Sequence, residues 1–234
     1  IEIDEDGDGV VDGTTHVGSI LAQDTLSPTT THVVSGTIGL NDWYTSTGTV
    51  ELNADDGNGI GVEGTQYSIN NGTWQFYGST NQIEIVTDGL YTIKYYSKDF
   101  FGNQELIKTI SIKVDTTSPE IGITAPFQDA EYILGTIQIA DYTCIDTTSG
   151  EDTCAGSVTT GDVFDTTLVG IKNFTVTSQD QSGNQTVQNT EYSVIYDFNG
   201  FFQSVDNQPI FNVTKAGSTV PMKFSLCGNQ GLDI

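Results

Sequence analysis

The sequence predicts an all-β protein made of antiparallel β-sandwiches in series, and three observations support this fold class. The 234 residues are rich in Thr, Ile, Val, Tyr, Asn and Gly, the residues of strands and turns, and offer little that favours helices. Apolar and polar residues alternate over many short segments, which is the period of a half-buried strand. A turn pattern, S-x-D-x-x-G-N-Q, occurs at 97–104 and again at 178–185.

The repeated turn pattern predicts a hairpin that the chain uses twice. An alternating segment precedes each copy (92–96 and 173–177), and another follows it (105–114 and 186–196). Gly adopts positive φ freely, Asn tolerates the left-handed region, and an Asp side chain accepts a hydrogen bond from the backbone two residues on. The same supersecondary unit is therefore expected in two modules.

A second repeat sets the module boundaries. The pattern D-T-x-S-P at 24–28 recurs at 115–119, 91 residues later. Proline lacks a backbone donor and extends the residue before it, which suits a linker that leads into an edge strand. A repeat of this length fits an immunoglobulin-like (Ig-like) sandwich of roughly 100 residues. We expect a linear array of tandem Ig-like antiparallel β-sandwiches: an acidic linker (1–23), sandwich 1 (24–114), sandwich 2 (115–196) and a partial third β module (197–234).

Local patterns place the strands of the first module. Alternation predicts strands at 50–54, 83–85, 91–95 and 110–114. Asn-Asn-Gly at 70–72, between two alternating segments, predicts a tight hairpin turn. We expect Trp74 to lie in the sandwich core, because large aromatic side chains are usually buried. An exposed platform of Trp43, Trp74 and tyrosines for stacking sugars is the alternative.

The charge of the chain excludes several kinds of partner. Seven basic and 31 acidic residues give a net charge of −24, and such a surface repels nucleic acid and anionic membranes. No run of 18 apolar residues occurs, so we expect no insertion of this segment into a membrane. The acidic balance suits cation binding, and calcium above all. Because the sequence opens on Ile1 inside an acidic loop, we expect it to be a piece of a longer protein.

The N-terminal linker carries the first candidate calcium ligands. Counted from Asp4, carboxylates fall at positions 1, 3, 5 and 9 of the loop with Gly at position 6, as in loops that wrap oxygen ligands around calcium. The candidate ligands are Asp4, Asp6, Asp8, Asp12 and the carbonyl of Val10. Position 12 is Thr15 where an EF-hand has a bidentate Glu, so the loop is more similar to D-x-D-x-D-G loops of thrombospondin type 3 or dockerin-like repeats. A solvated acidic linker is the alternative.

Further candidate calcium ligands lie in the turns of the modules. In the first module they are Asp55, Asp56, Asp99 and Asn103, and the equivalent residues of the second module are Asp146, Asp180 and Asn184. In a sandwich these loops can meet at one pole and present hard oxygen ligands. Asp24 and Asp115, in the linkers, are candidates to complete a calcium site that stiffens the array. The alternative is that these side chains only cap turns.

The cysteines and the glycosylation motifs indicate an oxidising, extracellular setting. Cys144 and Cys154 flank a short Gly-bearing loop, and we favour a disulfide over a zinc site because His16 and His32 are the only histidines. Cys227 is the odd cysteine, for which the alternatives are a buried thiol and a disulfide to a cysteine outside this sequence. The sequence N-x-T occurs four times, which predicts N-glycosylation at one or more of Asn71, Asn173, Asn184 and Asn212.

The sequence gives little support for catalysis. A hydrolytic triad needs a base near a nucleophile, and both histidines lie in the N-terminal linker and first strand outside any G-x-S-x-G context. A glycosidase needs a cleft with paired carboxylates, whereas the acidic residues here lie in turn patterns. We expect a chain that is not an enzyme.

Several motifs resemble those of known surface modules. The first module resembles bacterial and archaeal Ig-like modules of the OmpL47 type at 24–28, 42–45, 53–59, 65–70 and 97–103. The second resembles HYR-like Ig-like modules at 140–144, 146–150, Cys154 and 170–176, and that resemblance also implies a bridge between Cys144 and Cys154. Residues 196–202, 216–218 and 221–225 resemble the start of a PxKF-type module.

The resemblance implies a structural role at the cell surface, because such modules build surface layers, stalks and filaments. We expect a cell-surface or S-layer-like protein whose partners are neighbouring copies or further Ig-like domains, with Ca²⁺ as cofactor and glycans as an open candidate. The alternatives are an adhesin and a carbohydrate-binding or other non-catalytic accessory module of a secreted enzyme. We also expect the last strand, 219–226, to pair with a neighbouring domain or subunit.

Overall fold

The computed structural model describes residues 2–3, 13–14, 24–78, 82–203 and 205–227. Within these ranges every regular element is a β-strand, which confirms the all-β prediction. None of the described residues belongs to a helix long and apolar enough to cross a membrane.

Eighteen strands occur in the described ranges. The first ten are β1 (Glu2–Ile3), β2 (Gly13–Thr14), β3 (Thr29–Ser35), β4 (Trp43–Tyr44), β5 (Gly48–Asp55), β6 (Val62–Ile69), β7 (Gln75–Phe76), β8 (Ile83–Ile85), β9 (Gly89–Asp99) and β10 (Lys108–Val114). The others are β11 (Glu120–Ala125), β12 (Ala130–Ile133), β13 (Asp141–Ile145), β14 (Glu151–Gly156), β15 (Gly170–Asp180), β16 (Gln185–Ile195), β17 (Asp197–Phe202) and β18 (Lys223–Cys227). Contacts between Cα atoms divide the chain into unit 1 (Ile1–Ser35, Thr49–Glu84, Tyr91–Ile112) and unit 2 (Gly36–Gly48, Ile85–Leu90, Lys113–Ile234).

Strands β3 to β10 form two sheets, and β1 pairs with β2 separately. One sheet has the order β3-β5-β8 and the other the order β4-β10-β9-β6-β7. Within unit 1 a hydrogen bond of 2.6 Å joins the hydroxyls of Thr30 on β3 and Ser97 on β9, so the two sheets face each other there. Strand β3, which follows the D-T-x-S-P pattern, lies at a sheet edge as predicted.

The core of unit 1 follows the alternation of its strands. Each strand of an antiparallel sheet places every second side chain on the inner face, which explains the spacing of the buried residues. Among the described residues of unit 1, the buried apolar side chains are Val50, Leu52, Ile83, Ile93, Tyr95 and Ile112.

The Asn-Asn-Gly hairpin turn is confirmed. Asn70 and Asn71 have φ of 51° and 58°, as both central residues of a type I′ turn require. The amide of Gly72 donates to the carbonyl of Ile69 at 2.9 Å, and β6 pairs antiparallel with β7.

The S-x-D-x-x-G-N-Q pattern forms the same turn in both copies. In each copy the Asp amide donates to the Asn carbonyl at 3.1 Å, and the Gly amide donates to the Asp carbonyl at 3.2 Å. Gly102 and Gly183 have φ of 91° and 100°, which a side chain at either position would disfavour. The second copy joins β15 directly to β16, whereas after the first copy the strand resumes only at Lys108.

Unit 2 contains a second pair of sheets around one apolar cluster. Their orders are β11-β13 and β12-β16-β15-β14. The cluster takes buried residues from both sheets and from the connecting segments: Ile121, Ala140, Tyr142, Cys144, Phe164, Phe174, Val176, Tyr192 and Val194. The predicted disulfide is present, and it joins Cys144 on β13 to Cys154 on β14, so it links the two sheets covalently.

Two expectations about the chain are wrong. Trp74 was expected in a core, but 41% of its surface is exposed, because it lies beside the short edge strand β7 and packs against Tyr96 instead. Strand β18 was expected to pair with a neighbouring domain or subunit, but it pairs antiparallel with β17 of the same chain, with Phe201 opposite Phe224. Phe198, Phe201 and Phe224 contact one another in this pair of strands, and such aromatic contacts stabilise pairing within the chain.

Candidate metal sites

Within the part of the chain that the structure describes, two groups of three aspartates lie near the ends of strands. Cluster 1 consists of Asp24, Asp56 and Asp99 in unit 1. Cluster 2 consists of Asp115, Asp146 and Asp180 in unit 2. In each cluster one carboxylate oxygen from every residue lies within 4.8 Å of the others.

The two clusters are built from equivalent parts of the repeat. The first aspartate of each cluster opens a D-T-x-S-P pattern, and the third belongs to the S-x-D-x-x-G-N-Q turn. The middle aspartates, Asp56 and Asp146, follow β5 and β13 directly. The local sequence thus brings a linker, a strand-end loop and a hairpin turn together in each unit.

The Asn of the repeated turn braces each cluster. The side-chain amide of Asn103 donates to the carbonyl of Asp24 at 3.0 Å and to Asp99 Oδ2 at 2.7 Å. The side-chain amide of Asn184 donates to the carbonyl of Asp115 at 3.0 Å. In both units the turn therefore holds the linker aspartate through the same bond.

In cluster 1 the loop after β5 lies very close to the carboxylates of Asp24 and Asp56. The amide of Ile60 donates to Asp24 Oδ2 at 2.8 Å, and that of Gly61 donates to Asp56 Oδ2 at 2.7 Å. A Cβ atom at Gly59 would lie 2.6 Å from Asp24 Oδ2 and closer still to Asp56 Oδ2. Only glycine fits at position 59 while the carboxylates keep these positions.

Cluster 2 is the more deeply buried of the two. Asp115 and Asp180 are fully buried. Asp180 Oδ1 accepts hydrogen bonds from the Ser182 hydroxyl at 2.7 Å and from the amides of Gly183 and Asn184 at 2.8 and 2.9 Å. Asp180 Oδ2 has no hydrogen-bond partner among the described residues, although it is shielded from solvent.

A buried carboxylate oxygen without a hydrogen-bond partner destabilises the folded state, because it has lost its hydrogen bonds to water and no protein group replaces them. Asp56 Oδ1 in cluster 1 is also shielded and without a hydrogen-bond partner among the described residues. In both clusters the free oxygen belongs to a residue of the aspartate group. The donor set is oxygen only, which suits a hard cation.

The pKa is shifted in opposite directions for Asp115, the linker aspartate of cluster 2, and for Asp99, the turn aspartate of cluster 1. Burial raises the pKa of Asp115, and the neighbouring carboxylates Asp146 and Asp180 raise it further, against hydrogen bonds from Ser149 and Thr117. For Asp99, burial alone would raise the pKa, but hydrogen bonds, chiefly from Asn103, lower it below its usual value. Cluster 2 therefore holds negative charge that the protein itself does not fully stabilise.

No lysine neutralises either cluster in the part of the chain that the structure describes. The ion pairs there are Lys98–Glu63, Lys108–Glu105 and Lys172–Asp165. Three carboxylates without a counter-ion form a site that a divalent cation would neutralise.

Other residues proposed from the sequence lie elsewhere. Asp55 is exposed, and its carboxylate accepts a hydrogen bond from the Gly57 amide at 2.9 Å, so it caps a turn beside cluster 1. The side chains of Asp4, Asp6, Asp8 and Asp12 and the carbonyl of Val10 lie outside the described residues.

The four glycosylation motifs differ in accessibility. Asn71, Asn173 and Asn212 are exposed. The side-chain nitrogen of Asn184 donates to Asp115, Thr117 and Ser182, so a glycan on that nitrogen would disrupt the brace of cluster 2.

Sequence reasoning missed a segment that contacts the turn of cluster 2. Within unit 2, Leu40 donates its amide to the carbonyl of Ser182 at 2.7 Å, and the Asn41 side chain donates to the carbonyl of Gln181 at 2.9 Å. The amide of Asp115 donates to the carbonyl of Tyr44 at 2.9 Å. Nothing in the local pattern of 36–48 indicates these bonds, because they depend on tertiary structure.

No family model matches the chain, and no curated protein matches it. Solved structures to which it is similar include fibronectin(III)-like modules of Clostridium thermocellum CbhA (TM-score 0.30, 12% identity, 70% of this chain and 94% of that chain). They also include titin domains Z1Z2 in complex with telethonin (0.29, 15%, 74% and 98%) and protocadherin gamma B2 extracellular cadherin domains 3–6 (0.35, 18%, 79% and 52%). The fold class of the chain rests on its own strands and sheets.

Proposed function

We propose that this chain is a structural segment of an extracellular surface protein, and that calcium bound at clusters 1 and 2 stiffens its β-sandwich modules. The observation that carries the proposal is cluster 2, where a fully buried carboxylate oxygen, Asp180 Oδ2, lacks a hydrogen-bond partner among the described residues beside two further carboxylates. An S-layer, stalk or filament subunit is the role that such modules would serve, without catalysis.

Charge repulsion supports a bound cation. Two unit charges 4.8 Å apart repel by about 3.5 kcal/mol at an effective dielectric constant of about 20. Each cluster contains three such pairs when all carboxylates are ionised. A divalent cation between the carboxylates would replace this repulsion by attraction, and the bound ion would then stabilise the folded state.

The ligand chemistry favours calcium over magnesium. Calcium accepts six to eight oxygen ligands in irregular geometry, whereas magnesium demands a near-ideal octahedron and keeps much of its water. In cluster 2 several carboxylate oxygens already accept backbone hydrogen bonds, so the remaining oxygens present an irregular set. Asp115, Asp146 and Asp180 would hold the ion, which supplies only positive charge and coordination.

Cluster 2 is connected to the segment Gly36–Gly48 through the turn that carries Asp180. The carbonyls of Gln181 and Ser182, which accept from Asn41 and Leu40, directly follow Asp180 in that turn. A cation on Asp180 would fix the turn and so the two carbonyls. We therefore expect calcium to order Gly36–Gly48 as well as the aspartates.

An extracellular setting is consistent with both chemical features of unit 2. The Cys144–Cys154 disulfide persists in oxidising compartments, and extracellular calcium sites need only modest affinity. Surface modules of this kind would take neighbouring copies or further Ig-like domains as partners.

Calorimetric titration with Ca²⁺ and with Mg²⁺ tests the proposal. We expect Ca²⁺ to bind more tightly than Mg²⁺, and Asp115→Asn to remove part of the calcium heat. Asp152→Asn, which changes an exposed aspartate of the same unit, is the matched control and should leave the titration unchanged. Absence of calcium binding, or equal binding by wild type and Asp115→Asn, would contradict the cation site.

Hydrogen exchange tests the stiffening separately. The Leu40 amide should exchange more slowly in Ca²⁺ than in chelator, because its acceptor Ser182 lies in the calcium-ordered turn. The amide of Phe164, which donates to the carbonyl of Gln138 in the same unit, serves as the reference and should change little. Calcium binding without any change at Leu40 would leave a metal site but refute its role in stiffening.

A further inference from the structure

We infer that the outer face of strands β6, β7 and β9 is a binding site for a neutral oligosaccharide, a site distinct from the two aspartate clusters. The residues that form it are Glu63, Gln66, Trp74, Phe76, Tyr96 and Lys98, and all belong to unit 1. We call this set the aromatic platform.

The strand register places the platform on one face. Gln66 lies opposite Phe76 on one side and opposite Tyr96 on the other, so the three side chains form a row across the sheet. Thr65 and Ser97, the neighbouring pair in the register, are buried and point the other way into the sandwich. Because side chains alternate between faces, the row from Phe76 to Tyr96 faces outward.

The aromatic rings of the platform are unusually accessible. Phe76 is 76% exposed and Trp74 is 41% exposed. The Trp74 ring meets the Tyr96 ring edge to face, with centroids 4.8 Å apart, so the indole is held in place although it is not buried. The Phe76 ring lies beside Gly64, where an added Cβ atom would make an ordinary contact of 3.8 Å with the ring.

Polar groups surround the rings in a fixed arrangement. The Tyr96 hydroxyl donates a hydrogen bond to Gln66 Oε1, which orients the side-chain amide so that its nitrogen faces away from Tyr96. Lys98 and Glu63 form an ion pair of 3.4 Å at the border of the row. These groups offer both hydrogen-bond donors and acceptors beside an apolar surface.

Chemistry selects the ligand class. A pyranose ring has apolar faces that stack on aromatic rings and hydroxyl groups at its rim that exchange hydrogen bonds with amide, carboxylate and ammonium groups. The row spans two inter-strand spacings, or about 10 Å, which matches a short stretch of linear oligosaccharide. The Lys98–Glu63 pair is locally neutral and the chain carries −24, so acidic polysaccharides are disfavoured.

The intrinsic fluorescence of the chain reports on the site. The protein has two tryptophans, and Trp43 is buried, so a ligand stacked on the platform should change chiefly the emission of Trp74. We would titrate the protein with neutral linear oligosaccharides of glucose, mannose, xylose or galactose. At least one should bind and change the emission, and acrylamide should quench the tryptophan less in the complex.

Variants separate the platform from other exposed aromatics. Phe76→Ala should weaken saccharide binding about tenfold, as expected when an anchoring ring is truncated, and Phe76→Tyr should retain most of it. Phe76→Ala should fold normally because the ring is mostly exposed, and unchanged circular dichroism and melting temperature would verify this. Phe127→Ala, which removes a ring of 61% exposure in unit 2, is the matched control and should bind like wild type.

Two results would overturn the inference. One is that no saccharide in the panel binds, or that Phe76→Ala binds as well as wild type. The other is a concentration-dependent dimer in sedimentation that Phe76→Ala abolishes, since the platform would then be an interface between copies. Because the platform does not include an aspartate of either cluster, chelator should leave saccharide binding intact, and calcium results do not decide this test.

Discussion

The substitution Asp180→Asn should change stability in opposite directions with and without calcium. Asparagine keeps an oxygen at the position of Oδ1, which accepts from Ser182, Gly183 and Asn184. It replaces Oδ2, the atom without a hydrogen-bond partner among the described residues, by an NH₂ group. The change thus removes one negative charge while the hydrogen bonds of the turn are retained.

The magnitude follows from the geometry of cluster 2. Asp180 lies within 4.8 Å of carboxylate oxygens of Asp115 and Asp146, and each pair costs about 3.5 kcal/mol at an effective dielectric constant of about 20. Solvent screens the half-buried Asp146, and the raised pKa of Asp115 already relieves part of the repulsion. We expect the variant in chelator to be more stable than wild type by about 1–2 kcal/mol. For a module of roughly 60–100 residues that unfolds by itself, each kcal/mol raises Tm by roughly 4–8 °C.

Calcium should reverse this order. A ligand at 100 times its Kd stabilises the wild type by about 2.7 kcal/mol, and the variant should lose most of this gain along with its affinity. Thermal unfolding of both proteins in chelator and across a calcium series measures the two effects together. Asp152→Asn controls for the general effect of one fewer negative charge and should not respond differently to calcium. If Asp180→Asn is less stable than wild type in chelator, or gains as much from calcium, the account of cluster 2 is wrong.

Three further predictions concern separate features. Gly59→Ala should weaken calcium binding at cluster 1 in a titration, because its Cβ would displace the Asp24 and Asp56 carboxylates. The slowing of Leu40 amide exchange by calcium should persist in this variant. Loss of that slowing would contradict the independence of the two clusters. Removing the disulfide with Cys144→Ala and Cys154→Ala should lower the unfolding free energy in urea by about 3 kcal/mol, the value for so short a loop, and a loss near zero would contradict it. Burial, with smaller effects from Asp165 and Tyr132, raises the pKa of Tyr192 to about 12, above the unfolded value of about 10. The neutral hydroxyl therefore stabilises the fold fully below about pH 10 and less as pH rises towards 12, so urea unfolding should show a steeper alkaline loss for wild type than for Tyr192→Phe, and parallel profiles would refute this.

Local chemistry made the hairpins predictable from the sequence. Asn70 and Asn71 adopt the left-handed backbone that their turn requires, and Gly102 and Gly183 take the positive φ that the repeated turn requires. In each case the residue type restricts the backbone directly. The all-β class followed from alternation for the same reason, since a period of two fits a strand and not a helix.

The position of Trp74 was not predictable from local pattern. Its alternation with Phe76 predicts a strand, but alternation does not say which face of an edge strand is covered. Burial of a side chain depends on what packs over it, and β7 lies at the edge of its sheet. The general preference of tryptophan for the core therefore predicted the wrong position for Trp74, whose exposed ring is part of the proposed aromatic platform.

The aspartate clusters were predictable from the sequence only in part. The sequence names the candidate side chains, because Asp and Asn in turns are recognisable, but cannot separate a ligand from a cap. The structure separates Asp55 from Asp56: the first caps Gly57, and the second joins Asp24 and Asp99. That distinction depends on how three distant segments meet, and no local pattern encodes it.

The repeat builds both clusters from equivalent residues, but they differ in burial, and we therefore expect them to differ in affinity for a cation. Cluster 2 has two fully buried aspartates, whereas in cluster 1 only Asp99 is fully buried. Stronger burial raises the cost of unneutralised charge and also strengthens attraction to a bound ion, because less water screens it. Cluster 2 should therefore fill first in a calcium titration and depend more steeply on the ion for its order. The turn of cluster 2 also accepts the hydrogen bonds of Leu40 and Asn41. Calcium at the tighter site should therefore order a further segment of the chain, in addition to its own ligands.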